Sequence, residues 1–309
     1  MRILVTGADG QLASSLVERF ALHSGIELLA LGRPQLDLAV PGSATAAIEA
    51  VRPQVVINAA AYTAVDKAED EPELAFRINA HGAGEVAAAA ASVAASVVQV
   101  STDYVFDGRR QGPYDETAPT SPLGVYGRSK LAGEEQVRAA NPRHAIVRTA
   151  WVYSPFGRNF VKTIMTAART RDVLHVVEDQ RGSPTSALDL ADGLLRMAKL
   201  WNDVPEQGIG KTYHLAGTGQ TSWFGLSQCV MSECRKRLLP AADVVPIATT
   251  DRPIKAIRPA NSVLDSRRFA RELNFAMPEW PQSVATIVDR LAADWGLCSD
   301  PSKRAGPTR

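Results

Sequence analysis

A tyrosine and a lysine stand four residues apart in VYGRSKLAGE, Tyr126 and Lys130, at the start of a stretch with helical spacing. That spacing puts both side chains on one face of a helix. A free phenol titrates near pH 10, too high for easy proton exchange at neutral pH unless a positive charge sits beside it. At about 4 Å and an effective dielectric near 20, an ammonium favours phenolate by roughly 4 kcal/mol. The pair is therefore suited to general acid–base work. A second such stretch is QVSTDYVFDG, residues 99–108, where an apolar run turns within four positions into Thr102, Asp103 and Tyr104. A third is TGADGQLAS, where Gly7, Gly10 and Ala13 fall at the start of an amphipathic helix with apolar positions at Leu12, Leu16, Val17 and Phe20. Glycines at this spacing between a strand and a helix permit a tight turn and close approach of a pyrophosphate to the helix N-terminus.

These residues need a scaffold, and the first half of the chain supplies one. Short apolar runs, most of them rich in β-branched residues, at Arg2–Thr6, Glu27–Leu31, Val55–Asn58, Val97–Ser101 and Ala145–Arg148 alternate with alanine-rich helical stretches, the longest from Pro72 to Ala95. Such alternation predicts βαβ units and an α/β, doubly wound Rossmann-type parallel sheet. In that fold the carboxyl ends of the strands carry the ligand, so Thr102 and the Tyr126 helix should converge where a nicotinamide would lie. After Trp151 the pattern is less regular, with strands expected at Leu174–Val177 and Thr212–Leu215 and helices near Ala187–Trp201 and Phe224–Leu239. The expected organisation is an NADP(H)-binding domain over 1–150 and a smaller C-terminal substrate-binding domain over 151–298. The polar tail 299–309 is expected to be disordered.

The end of the second predicted strand bears on the dinucleotide. An acidic residue there normally accepts hydrogen bonds from the adenosine ribose. Here Gly32 and Arg33 occupy the position, leaving a guanidinium where a 2′-phosphate would sit. NADPH is favoured, with NADH still admissible. Asp37 falls too late for the ribose and, with Leu38, belongs nearer the adenine.

Composition narrows the partners. Lys and Arg total 34 against 33 Asp and Glu, intermixed along the chain, so no field favours nucleic acid or an anionic membrane. Cysteine occurs only at 229, 234 and 298, without the spacing of a disulfide framework or a zinc site. The stretch Leu74 to Val100 is interrupted by Arg77, His81 and Glu85 and is not a membrane span. No export signal is visible at MRILVTGADG, and a cytoplasmic location is expected.

The glycine loop, Thr102 and the Tyr126/Lys130 pair, in this order, resemble the extended short-chain dehydrogenase/reductases. The segments VVINAAAYTAVDKAEDEPELAFRINA, STDYVFDG, SPLGVYGRSKLAGE, IVRTAWVY, DQRGSPT and RPANSVLD are, more narrowly, similar to the bacterial dTDP-4-dehydrorhamnose reductases. The resemblance implies cofactor contacts at Gly10, Gln11, Leu12, Asp37, Leu38, Ala61, Tyr62, Thr63 and Val100, and Tyr126 and Lys130 as the catalytic pair. It implies a dTDP-sugar substrate met by Thr102, Asp103 and Trp151, whose indole could cover the sugar or the base. Arg258 in RPANS would face the diphosphate or form a structural ion pair. The implied reaction is reduction of a 4-keto sugar, with Thr102 as an added hydrogen-bond donor.

Related sugar-nucleotide enzymes do other chemistry with the same parts. A 4,6-dehydratase carries an Asp-Glu pair after the threonine, whereas Asp103 is followed here by Tyr104. An epimerase recycles a tightly held NAD, which Gly32 and Arg33 do not favour. A non-catalytic dinucleotide-binding subunit, like the regulatory beta subunit of methionine adenosyltransferase, is a third alternative. Some members of the reductase family form a magnesium-bridged dimer through acidic residues. The corresponding positions here are Ser15 and Leu188, which are poor magnesium ligands. A monomer or a differently built homodimer is expected.

Overall fold

The computed structural model describes residues 1–295 apart from His23, Ser24, Pro205 and Pro253. Cys298 and the expected tail 299–309 lie outside the described residues. Five strands follow the predicted runs closely: β1 (Arg2–Thr6), β2 (Glu27–Leu31), β3 (Val55–Asn58), β4 (Ser96–Thr102) and β5 (His144–Thr149). With Lys211–His214 they form one parallel sheet, ordered Lys211–His214, β5, β4, β3, β1, β2. Strands covered on both faces read as continuous apolar runs, and Ile3, Leu4 and Val5 of β1 are all fully buried. The chain leaves β1 in one direction to β2 and in the other to β3. A crevice therefore opens between the carboxyl ends of β1 and β3.

Two helical layers cover the sheet. On one face Leu12 and Leu16 of α1 (Gln11–Arg19) pack with the helix Ala187–Asp203. On the other, Ile48 of α2 (Ser43–Val51) packs with Val86 and Ala90 of the helix Ala83–Ser92. A separate apolar core joins the helices Phe160–Ala167, Trp223–Lys236 and Trp280–Asp294 to the paired strands Val173–Val177 and Asp243–Ile247. The boundary expected at residue 150 is crossed twice. The sheet takes its sixth strand from Lys211–His214, and α1 packs on a helix that begins at Ala187.

The segment expected as one helix from Pro72 to Ala95 is instead α-helical at Pro72–Phe76, π-helical at Arg77–Gly82 and α-helical again at Ala83–Ser92. The widened turn coincides with the approach of the helix Val125–Ala140. A Cβ built on Gly133 would lie 2.0 Å from the Asn79 carbonyl oxygen, so only glycine admits this contact. Asn79 uses its side chain here as well: Nδ2 donates to Ser129 Oγ at 3.0 Å and Oδ1 accepts from Tyr62 N at 2.8 Å. Widened turns of this kind recur near functional sites.

A buried ion pair fixes the Val125–Ala140 helix against the sheet. Glu134 is fully buried and accepts two hydrogen bonds from Arg148 of β5, at 2.8 and 2.7 Å. It also accepts from Ser101 Oγ of β4 at 2.6 Å and from Arg138 at 3.0 Å. These donors hold its carboxyl below the usual range despite burial, which acts the other way.

Candidate active site

A cleft of about 840 Å³ runs from the glycine loop, across the carboxyl ends of β1, β3 and β4, to Trp151 and Arg258. The candidate cofactor, substrate and catalytic residues line it: Gly7, Gly10, Gln11, Leu12, Gly32, Arg33, Asp37, Leu38, Ala61, Tyr62, Thr63, Val100, Thr102, Asp103, Tyr126, Lys130, Trp151 and Arg258, whereas Ala13 of the glycine motif does not. Trp223, which sequence reasoning missed, lines it too.

At one end the backbone makes a cradle. Gly7 has φ +80°, in the left-handed region that favours glycine, and a Cβ there would press on Ala60 Cα at 3.0 Å. Gly7 N and Ala8 N donate to the Leu31 carbonyl of β2, and Gly10 N donates back to the Gly7 carbonyl at 2.8 Å. Gly32 closes on this loop, since a Cβ there would meet Ala8 N at 3.1 Å. The loop presents the N-terminus of α1 to the cleft, a site where backbone N–H groups favour an anion. Arg33 is exposed at the rim. Asp37 turns inward on its own loop, where Oδ1 accepts from Ala39 N at 2.9 Å. Gln11 Oε1 accepts from Ser154 Oγ and Asn159 Nδ2, both at 3.0 Å, tying α1 to the second half of the chain.

The floor of the cleft gathers titratable groups. Lys130 is 4% exposed, and its Nζ donates to the Val100 carbonyl at 2.7 Å. Burial lowers the lysine to about 8, with Glu134 one turn away opposing the shift. The Tyr126 hydroxyl lies within hydrogen-bond reach of the Thr102 hydroxyl, and its ring meets Tyr104 edge-on with centroids 5.6 Å apart. Here the structure corrects the expectation from spacing. The ammonium was expected to draw the Tyr126 phenol down, but burial pushes the phenol well above its ordinary value. The Thr102 hydrogen bond offsets this only in part, and Asp103 and Tyr104 add to it. Desolvation wins over a lysine already committed to a carbonyl.

Asp103 is 2% exposed; its Oδ1 accepts from Thr102 Oγ1 at 3.0 Å, and its Oδ2 has no hydrogen-bond partner among the described residues. Burial raises this carboxyl to about 6, with the nearby Ser262 and Thr102 hydroxyls partly offsetting it. Asp103 lines the cleft, and a buried acceptor without a partner is costly. Burial also takes the Tyr104 phenol up to about 12.

The far end is aromatic. Trp151 stacks on Trp223 with centroids 3.5 Å apart and planes within 5°, and Phe160 flanks Trp223 at 4.5 Å. Trp151 holds φ +47°, an unusual conformation for a large side chain, and a Cβ on Gly182 would fall 2.3 Å from its ring. Arg258 donates through Nη2 to Asp66 at 2.8 Å and through Nη1 to the Tyr104 hydroxyl at 3.5 Å, while its buried Nε has no partner among the described residues. The guanidinium thus forms an ion pair and also faces the cleft.

Known proteins are similar to this chain over nearly its whole length. The family described as the RmlD substrate binding domain matches residues 1–293. A dTDP-4-dehydrorhamnose reductase of Sinorhizobium fredii is 41% identical over 291 residues, spanning 93% of this chain and 97% of the relative. The Salmonella typhimurium enzyme of the same name is 38% identical, spanning 94% and 98%. The chain belongs to the dTDP-4-dehydrorhamnose reductase family. Among solved structures, the Clostridium acetobutylicum reductase superposes with a TM-score of 0.86 at 38% identity, covering 94% of this chain and 99% of that one. A Bacillus anthracis reductase in complex with NADP gives a TM-score of 0.85 at 35% identity, with the same coverage.

The Asp103 carboxyl gives a measurable signature. With its pKa at about 6 in the fold against an ordinary 3.8, the unfolded chain ionises first as pH rises. Stability therefore falls between about pH 4 and 6 and is not regained above that. Asp103→Asn is expected to remove this decline and raise stability at pH 7–8 by about 1–3 kcal/mol in urea unfolding, while lowering activity. An unchanged pH profile of stability would contradict the assignment.

Proposed function

We propose that this protein is a dTDP-4-dehydrorhamnose reductase, reducing the C4 ketone of dTDP-4-dehydro-6-deoxy-L-mannose to the alcohol of dTDP-L-rhamnose. This is the last step of dTDP-L-rhamnose synthesis. The observation that carries the reading is the cluster of buried Thr102 and Lys130 with the partly buried Tyr126, on the floor of a cleft that begins at a glycine cradle. The cradle suits a dinucleotide, because a glycine turn with φ +80° at Gly7 leads from β1 into the N-terminus of α1. Bound NADPH supplies a hydride. The Gly7–Leu12 loop and the α1 N-terminus would hold its pyrophosphate, Arg33 would pair with its 2′-phosphate, and Asp37, Leu38, Ala61, Tyr62, Thr63 and Val100 would complete the cofactor walls.

Tyr126 is the proton donor. Reduction leaves an alkoxide at C4, and an alkoxide is far more basic than a phenolate, so transfer of the phenolic proton is downhill. A raised phenol pKa serves this direction, since the acid stays loaded at neutral pH. Lys130 lies one turn along the same helix and stabilises the phenolate left behind. The Thr102 hydroxyl adds a hydrogen bond to the developing oxyanion. Asp103 accepts from a sugar hydroxyl, Trp151 contacts the sugar or base, and Arg258 faces the diphosphate with its free Nε. Tyr104 occupies the place where a dehydratase carries its second acid.

Assembly is proposed to be monomeric or as a dimer without a magnesium bridge. Ser15 is fully buried with its hydroxyl donating to the Gln11 carbonyl, and Leu188 belongs to the apolar core under the aromatic end. Among the described residues no helix is long and apolar enough to cross a membrane.

NADPH oxidation with the 4-keto sugar nucleotide tests the reading. Wild type is expected to turn over, and Tyr126→Phe to lose roughly 10²–10⁴-fold in rate. Wild-type activity no higher than that control would overturn the enzyme reading, and retained NADPH binding would then favour the regulatory-subunit alternative. In light scattering, the oligomeric state is expected to be indifferent to EDTA; an EDTA-sensitive dimer contradicts the proposal on assembly.

A further inference from the structure

A line of buried polar side chains crosses the sheet beneath the cleft, beside the buried valines, isoleucines and leucines of the same strands. Thr6 of β1, Asn58 of β3 and Gln99 of β4 are 0, 1 and 2% exposed. Thr6 Oγ1 accepts from Ala60 N at 3.0 Å and donates to Asn58 Oδ1 at 2.6 Å. Asn58 Nδ2 donates to Gln99 Oε1 at 2.7 Å, and Gln99 Nε2 donates to the Val100 carbonyl at 2.9 Å. That carbonyl is the one that accepts Lys130 Nζ at 2.7 Å. Every donor in the series points the same way, from the glycine-loop strand to the lysine anchor. Hydrogen bonds aligned in this manner polarise one another.

Three polar side chains in the middle of a parallel sheet are costly unless fully partnered, and apolar residues of similar shape would serve packing equally well. The one asymmetric feature is the terminus of the series. We propose that Gln99 is a positioning residue for reduction. Through the Thr6–Asn58–Gln99 series it fixes the Val100 carbonyl, and so holds the Lys130 ammonium in the single orientation that leaves its other protons for the cofactor and the Tyr126 phenol. An ammonium has three donors, of which Val100 takes one. The series also couples the lysine to Thr6, the residue just before Gly7, so the cofactor loop and the acid–base floor share one rigid hydrogen-bonded frame.

This inference rests on the reductase reading, and the test separates the two. Gln99→Met keeps length and apolar volume while deleting both the donor and the acceptor. It is expected to lower kcat about tenfold and weaken NADPH binding about threefold, with KM for the sugar nucleotide unchanged. In a Lys130→Met background the same substitution is expected to cost less than a further twofold, because its effect passes through the lysine. Thr6→Val, which breaks only the first link, is expected to give a two- to threefold loss of kcat with the same non-additivity, and decides the matter if Gln99→Met does not fold. Equal losses with and without Lys130, or a wild-type kcat in both variants, overturn the inference. If wild type itself does not reduce the sugar nucleotide, the reductase reading fails. NADPH affinity then judges the series alone, with unchanged affinity in Gln99→Met counting against it.

Discussion

Burying the Lys130 ammonium is the constraint from which the rest of this structure follows. An isolated charge in a protein interior costs several kcal/mol, a large part of the net stability of a whole domain. The chain meets that cost with the Val100 carbonyl at 2.7 Å and with Glu134 one helical turn further on. Glu134 is itself fully buried and needs the two-point contact with Arg148, together with Ser101. Carbonyl, ammonium, carboxylate and guanidinium thus tie the Val125–Ala140 helix to β4 and β5. The same ties set Tyr126 above the carboxyl end of β4.

The desolvation that makes Lys130 costly also defines the acid. Tyr126 is held protonated by its surroundings, and the neighbouring Asp103 carboxyl is raised for the same reason. A reductase needs a loaded proton donor at the moment an alkoxide forms, and burial keeps it loaded. Asp103 pays in stability for a buried, partnerless oxygen at the edge of the cleft.

Much of this was legible in the sequence, and the parts that were not share a cause. The runs RILVT, VVIN and the valines before Thr102 are strands because both faces of a parallel sheet are buried, a pattern visible in one dimension. The glycine loop and the Tyr126/Lys130 spacing are local as well, and the cleft gathers all of them. Trp223 could not be found this way, because its stacking on Trp151 joins positions 72 residues apart (223 − 151). The sixth strand at Lys211–His214 was expected as a strand but not as part of the first sheet, since periodicity carries no partner information. The direction of the Tyr126 shift was read wrongly for a related reason. Spacing identifies a charged neighbour, whereas desolvation depends on everything packed around the pair.

The central claim, that Tyr126 is an acid kept protonated by burial, is open to one direct measurement. Tyrosinate absorbance is titrated for wild type and Tyr126→Phe without cofactor, and the difference isolates the one phenol. The account expects no difference signal up to about pH 10, the ordinary range for a free phenol. A Tyr126 phenolate ionising between about pH 7 and 9 would contradict it, and would return to the lysine the control of the phenol that burial holds here.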